Sequence, residues 1–598
     1  MFLLIRFSKL LLLLLTGLLG VSSLAACGSG SDGGTDKASS KVAEATAPKV
    51  DMGPQPVLDS TYVMKTFEAV PRFKDQLKWA KLFYEDREYQ LGWFKDHQLK
   101  PQAERLLGII AKAKEEGLDG KDYRVSQVKE LITKLQQARE DSAAFKKLER
   151  EADVAMTGTY LTWASDYYRG LANPRDVKGM KWDVKRNKIK LHKALITFLG
   201  ERESRYNYYE FAPLHPEYDY LKKALAAYRT QEAAGGWKPL PDNLKLRPGD
   251  SSPAVPALRQ RLLGGAGSPG NAGENATATT APAVPVSART GTGTTAPAAA
   301  PADQIYSPDL VEAVKNFQAD AGLKPDGIVG GNTLAELNVP IGDRIDQLIL
   351  NMERWRWLPK RFEEDYLLVN IPEYKLHVIE DGKEAMNMRV IVGKTLNATP
   401  VFSDKLEYVV LAPYWNVPFS IIDKELRPKL AANPYYLDRL DMEVVKGWGA
   451  KATPVDPSSI DWANVTEDGF KYTLRRRPGP KNDLGDVKFI FPNSDNIYLH
   501  DTPHDELFSQ TQRNFSHGCV RVEEPIKLAT YLLRNKPNWD RSTIQDTIAR
   551  RREKYITLEK KLPVYLVYFT AWADPDGHPH FRQDIYGHDK NLAKEYFN

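Results

Sequence analysis

The sequence predicts a multi-domain α+β protein, and three observations predict it. The first is length: 598 residues suit three or four domains at roughly 150 residues each. The second is a change of period along the chain. Apolar residues recur at helical spacing from Ser60 to Lys238 and alternate at strand spacing after residue 341. The third is a Gly/Ala/Thr/Pro stretch, Gly264–Pro301, that interrupts a short helical unit between those two regions. Composition is that of an ordinary soluble globular protein, 42% hydrophobic and 27% charged. A net charge of +5 is too weak at this length to imply nucleic acid as a partner.

The first residues stand apart. Arg6 and Lys9 precede an apolar run, Leu10–Leu15, and small residues follow. That is the layout of a secretory signal over 1–26 rather than of a membrane-spanning helix. Its end, Leu24-Ala25-Ala26-Cys27, resembles the bacterial lipobox. The resemblance implies cleavage before Cys27, lipid on that cysteine and attachment to a membrane. With Gly28 next and no aspartate there, it further implies the outer membrane of a Gram-negative envelope, facing the periplasm. Residues 27–55 are rich in Gly, Ser, Thr, Ala and Lys and read as a flexible tether.

Residues 56–240 read as a helical scaffold. "AERLLGIIAKAKEEGL" sets Leu106, Leu107, Ile109, Ile110 and Ala113 on one apolar stripe, and a second helix runs to Asn173-Pro174. Nothing in this region has the spacing of a catalytic motif. Residues 241–340, with the insert 264–303, predict a small helical module. Leu310, Val314 and Phe317 share a face, Gly322 and Asp326-Gly327 stop that helix, and Thr333 is placed to cap the next. "AVKNFQADAGLKPDGIVGGNT" resembles the three-helix peptidoglycan-binding module. Residues 341–598 open with a linking helix, then carry strands. Asp381-Gly382 marks a hairpin turn.

Two cysteines occur in the whole chain, Cys27 and Cys519. With Cys27 lipidated, Cys519 is a lone thiol in an oxidising compartment, either buried filler or a reactive group. It lies in "NFSHGCVRV", upstream of a predicted helix whose N-terminus would favour a thiolate. A neighbouring N–H, with that of Cys519, would make an oxyanion hole. A base is also required, and two histidines qualify. His517 is two residues away, and His500 ends the strand "NIYLH". Residue chemistry alone does not choose between them.

The run "IYLHDTP…RNFSHGCVRV" resembles the L,D-transpeptidase catalytic domain, in which a histidine precedes Ser/Thr-His-Gly-Cys by a gap in the mid-teens. "GKTLNATPVFS", "PYWNVPFSI" and "RRRPGPKNDLGDVKFIFPN" follow the order of the large multi-domain Gram-negative members. The resemblance implies Cys519 as nucleophile and His500 as general base, oriented by a backbone carbonyl near the next residue, with Asp501 a weak candidate for that role. It implies Ser516, His517 and Gly518 on the oxyanion side, with Arg521 and Tyr498 against the substrate. It implies 3–3 cross-linking between peptidoglycan stem peptides, contact with glycan, and carbapenem sensitivity. No metal and no cofactor are expected; His578, His580 and His588 belong to the tail. Ser420–Arg477, rich in Tyr, Trp and Pro, is expected to form a lid (420–477). A papain-like wall hydrolase would also use Cys and His, but its nucleophile precedes its histidine. A non-enzymatic wall-binding lipoprotein would leave Cys519 inert.

Overall fold

The computed structural model describes residues 52–597 except 181, 185, 201–214, 265–300, 361 and 448–450. The signal segment, Cys27 and nearly all of the insert lie outside the described residues.

The helical region is organised around Ser142–Arg169. Asp141 caps it by accepting from the N–H groups of Ala143 and Ala144 at 3.0 Å. This helix is buried on several sides, because other helices pack around it. Gly158 permits that packing, since a Cβ there would lie 2.3 Å from the Phe73 ring. The helix stops at Gly170, at φ +83° and ψ 152°, short of the expected Asn173-Pro174 stop. A side chain at 170 would meet Glu353 and Trp357 at 2.5 Å. Of the expected apolar stripe, Leu106 and Ile110 are buried in helix Pro101–Ala111, while Leu107 and Ile109 are half-buried.

The segment expected to link domains, Ile341–Trp357, is instead a spine. Nearly every residue from Arg344 to Trp357 is buried. One continuous hydrophobic cluster runs from Leu58 through this helix to Tyr596, so the helical region and the strands share a core. Arg356 and Glu353 are buried together at 2.9 Å, and Arg356 also donates to the Tyr218 hydroxyl at 2.9 Å. The charge is tolerable there because the guanidinium is paired and hydrogen-bonded.

Residues 240–263 and 306–337 form a separate small core from Leu246, Leu258, Tyr306, Leu310, Val314 and Leu337. Thr333 is not a cap. Helix Gly331–Leu337 starts after Gly330, and the Thr333 hydroxyl accepts from Gln318 Nε2 at 3.0 Å.

The strands close on themselves. Lys383–Gly393 pairs on one side with Val520–Val522 and on the other with Lys375–Glu380, so the sheet has no open edge at that seam. Asp381 and Gly382 both take positive φ, +50° and +71°, as a two-residue hairpin turn requires. Residues 415–476 leave this barrel and make a second, four-stranded sheet with its own core around Leu430, Trp462 and Leu474.

Candidate functional site

Register creates the site. Strand Leu499–His500 lies between two neighbours, antiparallel to Val487–Ile490 and parallel to Val520–Val522. The pairings are Lys488↔His500 and His500↔Arg521. Residues directly opposite point to the same sheet face, and so do residues two apart on one strand. Lys488, His500 and Arg521 therefore form one row, and Tyr498 and Cys519 a second row beside it. The Val520 N–H donates to the Tyr498 carbonyl at 3.2 Å, which ties the cysteine turn to the histidine strand.

Cys519 does not sit at a helix N-terminus. Strand Val520–Val522 intervenes, and the helix begins only at Pro525. The thiol is held by a turn instead. Gly518 adopts φ +125°, a region few side chains tolerate. The buried Ser516 hydroxyl donates to the Cys519 carbonyl at 2.6 Å and accepts from the Gly518 N–H at 3.1 Å. Thr399 donates to the Gly518 carbonyl at 2.7 Å. The Gly518 amide is thus committed, and the Cys519 N–H has no hydrogen-bond partner among the described residues. The thiol itself donates to the Asn496 carbonyl at 3.8 Å.

His500 is buried, and its Nδ1 meets the Asp501 carbonyl at 2.5 Å. A carbonyl can only accept, so Nδ1 carries the proton and Nε2 is the basic nitrogen. The Asp501 side chain is turned elsewhere, accepting from the N–H groups of Asp486 and Thr502 at 2.7 Å each. Gly485 leaves room for that carboxylate. Burial, then Arg521 and Lys488, push His500 down to about 3. Burial pushes the Cys519 thiol up, while the Tyr498 amide, Lys488, the Tyr498 hydroxyl and Arg521 pull it back. Near neutral pH the resting pair is therefore neutral thiol and neutral imidazole.

His517 is exposed and meets a different element. Its Nε2 lies 3.4 Å from Glu425 of the 415–476 excursion. Arg521 is half-buried, and among the described residues its Nε has no hydrogen-bond partner. Tyr498 is half-buried, with its ring 5.6 Å from that of His500.

Three contributors were not singled out by the sequence reading. Lys488 Nζ stands 3.7 Å from the centre of the Tyr498 ring, and burial lowers its pKa. Its place between Val487 and Phe489 in an apolar strand was the available signal. Asn496, at φ +54°, and Thr399 carried no such signal. Among the described residues no three His, Cys, Asp or Glu side chains are placed to hold a metal ion. His578 and His580 face Asp320, whereas His588 packs against Trp182 and Tyr568.

Three family models match the chain. Residues 364–565 match the YkuD "L,D-transpeptidase catalytic domain", residues 78–225 a "Scaffold domain", and residues 293–337 a "Putative peptidoglycan binding domain". A Haemophilus influenzae protein named "Putative L,D-transpeptidase" is 38% identical over 250 residues, covering 42% of this chain and 49% of that protein. The match thus spans about half of that relative's length. Among solved structures, an L,D-transpeptidase from Mycobacterium smegmatis is 12% identical, covering 34% of this chain and 58% of the other, with a TM-score of 0.16. One from Xylanimonas cellulosilytica is 16% identical, covering 55% and 99%, also with a TM-score of 0.16. The barrel that brings Cys519 beside the His500 strand is the matched catalytic region, and the chain carries a YkuD L,D-transpeptidase catalytic domain together with a scaffold domain and a peptidoglycan-binding domain.

Proposed function

We propose that this chain is a peptidoglycan L,D-transpeptidase acting in the cell envelope, with Cys519 as nucleophile and His500 as general base. The observation that carries the reading is the strand register, which sets the cysteine turn beside a histidine whose Nδ1 is already anchored on the Asp501 carbonyl. The basic Nε2 takes the thiol proton as sulfur attacks the carbonyl between the third stem residue and terminal D-alanine. The developing oxyanion is met by the Cys519 N–H. The C–N bond breaks, His500 returns the proton to the amine, and D-alanine leaves a thioester. The side-chain amine of a diamino acid on another stem then attacks. Its proton passes to His500, the thiolate departs and is reprotonated, and a 3–3 cross-link remains.

Ser516 and Gly518 shape the turn, and Arg521 and Tyr498 border the substrate. The excursion 420–477 acts as a lid that shelters the thioester from water, with His517 and Glu425 as its contact with the cysteine turn. Asn482 closes its neck by donating to the carbonyls of Pro413 and Arg477 at 2.8 and 3.2 Å. Cys27 carries the lipid that holds the chain to the outer membrane.

Intact-mass measurement after carbapenem treatment tests the nucleophile. An adduct on the wild type and none on Cys519→Ala is expected; an equal adduct on both rejects it. Muropeptide digests test the reaction. Trimmed stems without 3–3 cross-links would favour a hydrolase. Shortening the lid tip should raise hydrolysis relative to transfer, and an unchanged ratio removes the lid.

A further inference from the structure

A second cleft, about 640 Å³, opens between the peptidoglycan-binding module and the barrel. One wall is the module's turn around Lys324 and Asp326; the other is built from Glu373–Lys375, the loop Ser509–Arg513, and Arg582. None of these residues belongs to the cysteine site.

The cleft carries a surplus of positive charge. Lys324, Lys375, Arg513 and Arg582 line it against two carboxylates, Asp326 and Glu373. Both carboxylates are already committed. Asp326 accepts from Gln318 Nε2 and the Ile328 N–H at 3.0 Å, and Glu373 faces His377 at 3.1 Å and Lys375 at 3.6 Å. Arg513 donates only to backbone carbonyls, those of Val390, Gln510 and Tyr374. Such carbonyls orient a guanidinium without neutralising it. Among the described residues, Lys324, Arg513 and Arg582 have no carboxylate at ion-pair distance.

The walls are held in place. Asp320, on the module, meets His578 at 2.8 Å and His580 at 3.2 Å on the tail hairpin, and Arg582 donates to the Asp320 carbonyl at 2.7 Å. Loop Ser509–Arg513 leads directly into the cysteine turn. Five residues separate Arg513 from Cys519, a reach of at most about 20 Å. An extended four-residue stem peptide spans roughly 14 Å.

We propose that this cleft binds the anionic stem peptide of a peptidoglycan strand, holding its carboxylates on Lys324, Lys375, Arg513 and Arg582, so that a stem of the same strand is delivered to Cys519. The proposal rests on the transpeptidase reading. It adds a second binding site, shared by two domains, whose recognition element is the stem carboxylate rather than the sugar.

The test uses the full-length chain after carbapenem acylation, which occupies the cysteine site. Calorimetry then measures binding of a soluble disaccharide-tetrapeptide, the same compound with its carboxylates amidated, and a stem-free glycan oligomer. Binding of the tetrapeptide is expected, weakened at least tenfold by amidation and at least tenfold by Lys324→Glu with Lys375→Glu. Asn332→Trp, which fills the cleft without altering charge, should weaken it as much, and circular dichroism checks that each variant is folded. Equal binding of stem-free glycan overturns the proposal, as does unchanged affinity in folded variants. Failure to form the carbapenem adduct is a separate result and rejects the transpeptidase reading itself.

Discussion

Ser516→Ala isolates what the turn contributes to the thiol. The buried hydroxyl makes two hydrogen bonds, to the Cys519 carbonyl at 2.6 Å and from the Gly518 N–H at 3.1 Å. Alanine removes both and leaves a donor and an acceptor without partners. At about 1–2 kcal/mol for each group left unsatisfied, the loss is about 2–4 kcal/mol. Gly518, at φ +125°, is then held only by the Thr399 hydroxyl on its carbonyl. If the turn is what aims the sulfur, this cost reappears in the barrier to acylation. The carbapenem acylation rate should then fall between roughly thirtyfold and a thousandfold, at 1.4 kcal/mol per decade. Ser516→Thr keeps the hydroxyl and should recover most of the rate. Stopped-flow fluorescence gives the rate, and thermal denaturation shows how much of the loss is global. A Ser516→Ala protein that acylates within twofold of wild type would refute the reasoning.

Other outcomes follow from the same geometry. With His500 held down to about 3 and the thiol pushed up, iodoacetamide alkylation of Cys519 should climb steadily from pH 6 to 9; a high plateau from pH 5 to 8 would indicate a preformed thiolate–imidazolium pair instead. Gly485→Ala forces φ +58° on a side chain and drives a Cβ to 2.3 Å from Asp501 Cγ. The left-handed strain alone costs about 1–2 kcal/mol, and displacing the residue that anchors His500 should cut acylation more than tenfold. Gly382→Ala, also left-handed but at an open hairpin tip, should cost only the strain, and equal acylation losses in the two variants would contradict the anchoring role. His377 is opposed by burial, yet Glu373 and Glu384 raise it to about 9, with Lys375 also nearby. Its folded pKa lies above its ordinary 6.5, so its stabilisation is complete below pH 6.5 and disappears as pH rises through about 9. Melting temperatures should record a loss of roughly 1–3 kcal/mol between pH 6.5 and 10, absent in His377→Gln; parallel wild-type and variant curves would dismiss it.

Much of the fold was legible because its signals are local. Asp381-Gly382 is a hairpin signal that needs no distant partner, and the structure puts both residues at positive φ. The helical module showed itself through Leu310 and Val314, both buried. Where a distant partner decides, sequence reading slipped. The helix ending at Arg169 stops at Gly170, not at the proline, because Trp357 and Glu353 occupy the space a side chain would need. Thr333 looked like a cap, but its hydroxyl is taken by Gln318. Ile341–Trp357 reads in sequence as a linking helix. Burial of Arg356 against Glu353 and Tyr218 is invisible in a one-dimensional pattern.

The same division runs through the site. Sequence by itself determined that Cys519 follows Ser-His-Gly, that His500 and His517 are its candidate bases, and that strands lie around them. What distinguishes the surroundings of the two histidines is tertiary. Parallel pairing of Leu499–His500 with Val520–Val522 brings His500 into the row beside that of Cys519, while the His517 Nε2 lies 3.4 Å from Glu425, far away in sequence. Tertiary structure alone placed Lys488 against Tyr498, and alone assigned Asp501's carbonyl to the imidazole and its carboxylate to the loop. The physical reason is range. A turn or a helical stripe is written within a few residues, whereas proton position and charge depend on which strands become neighbours.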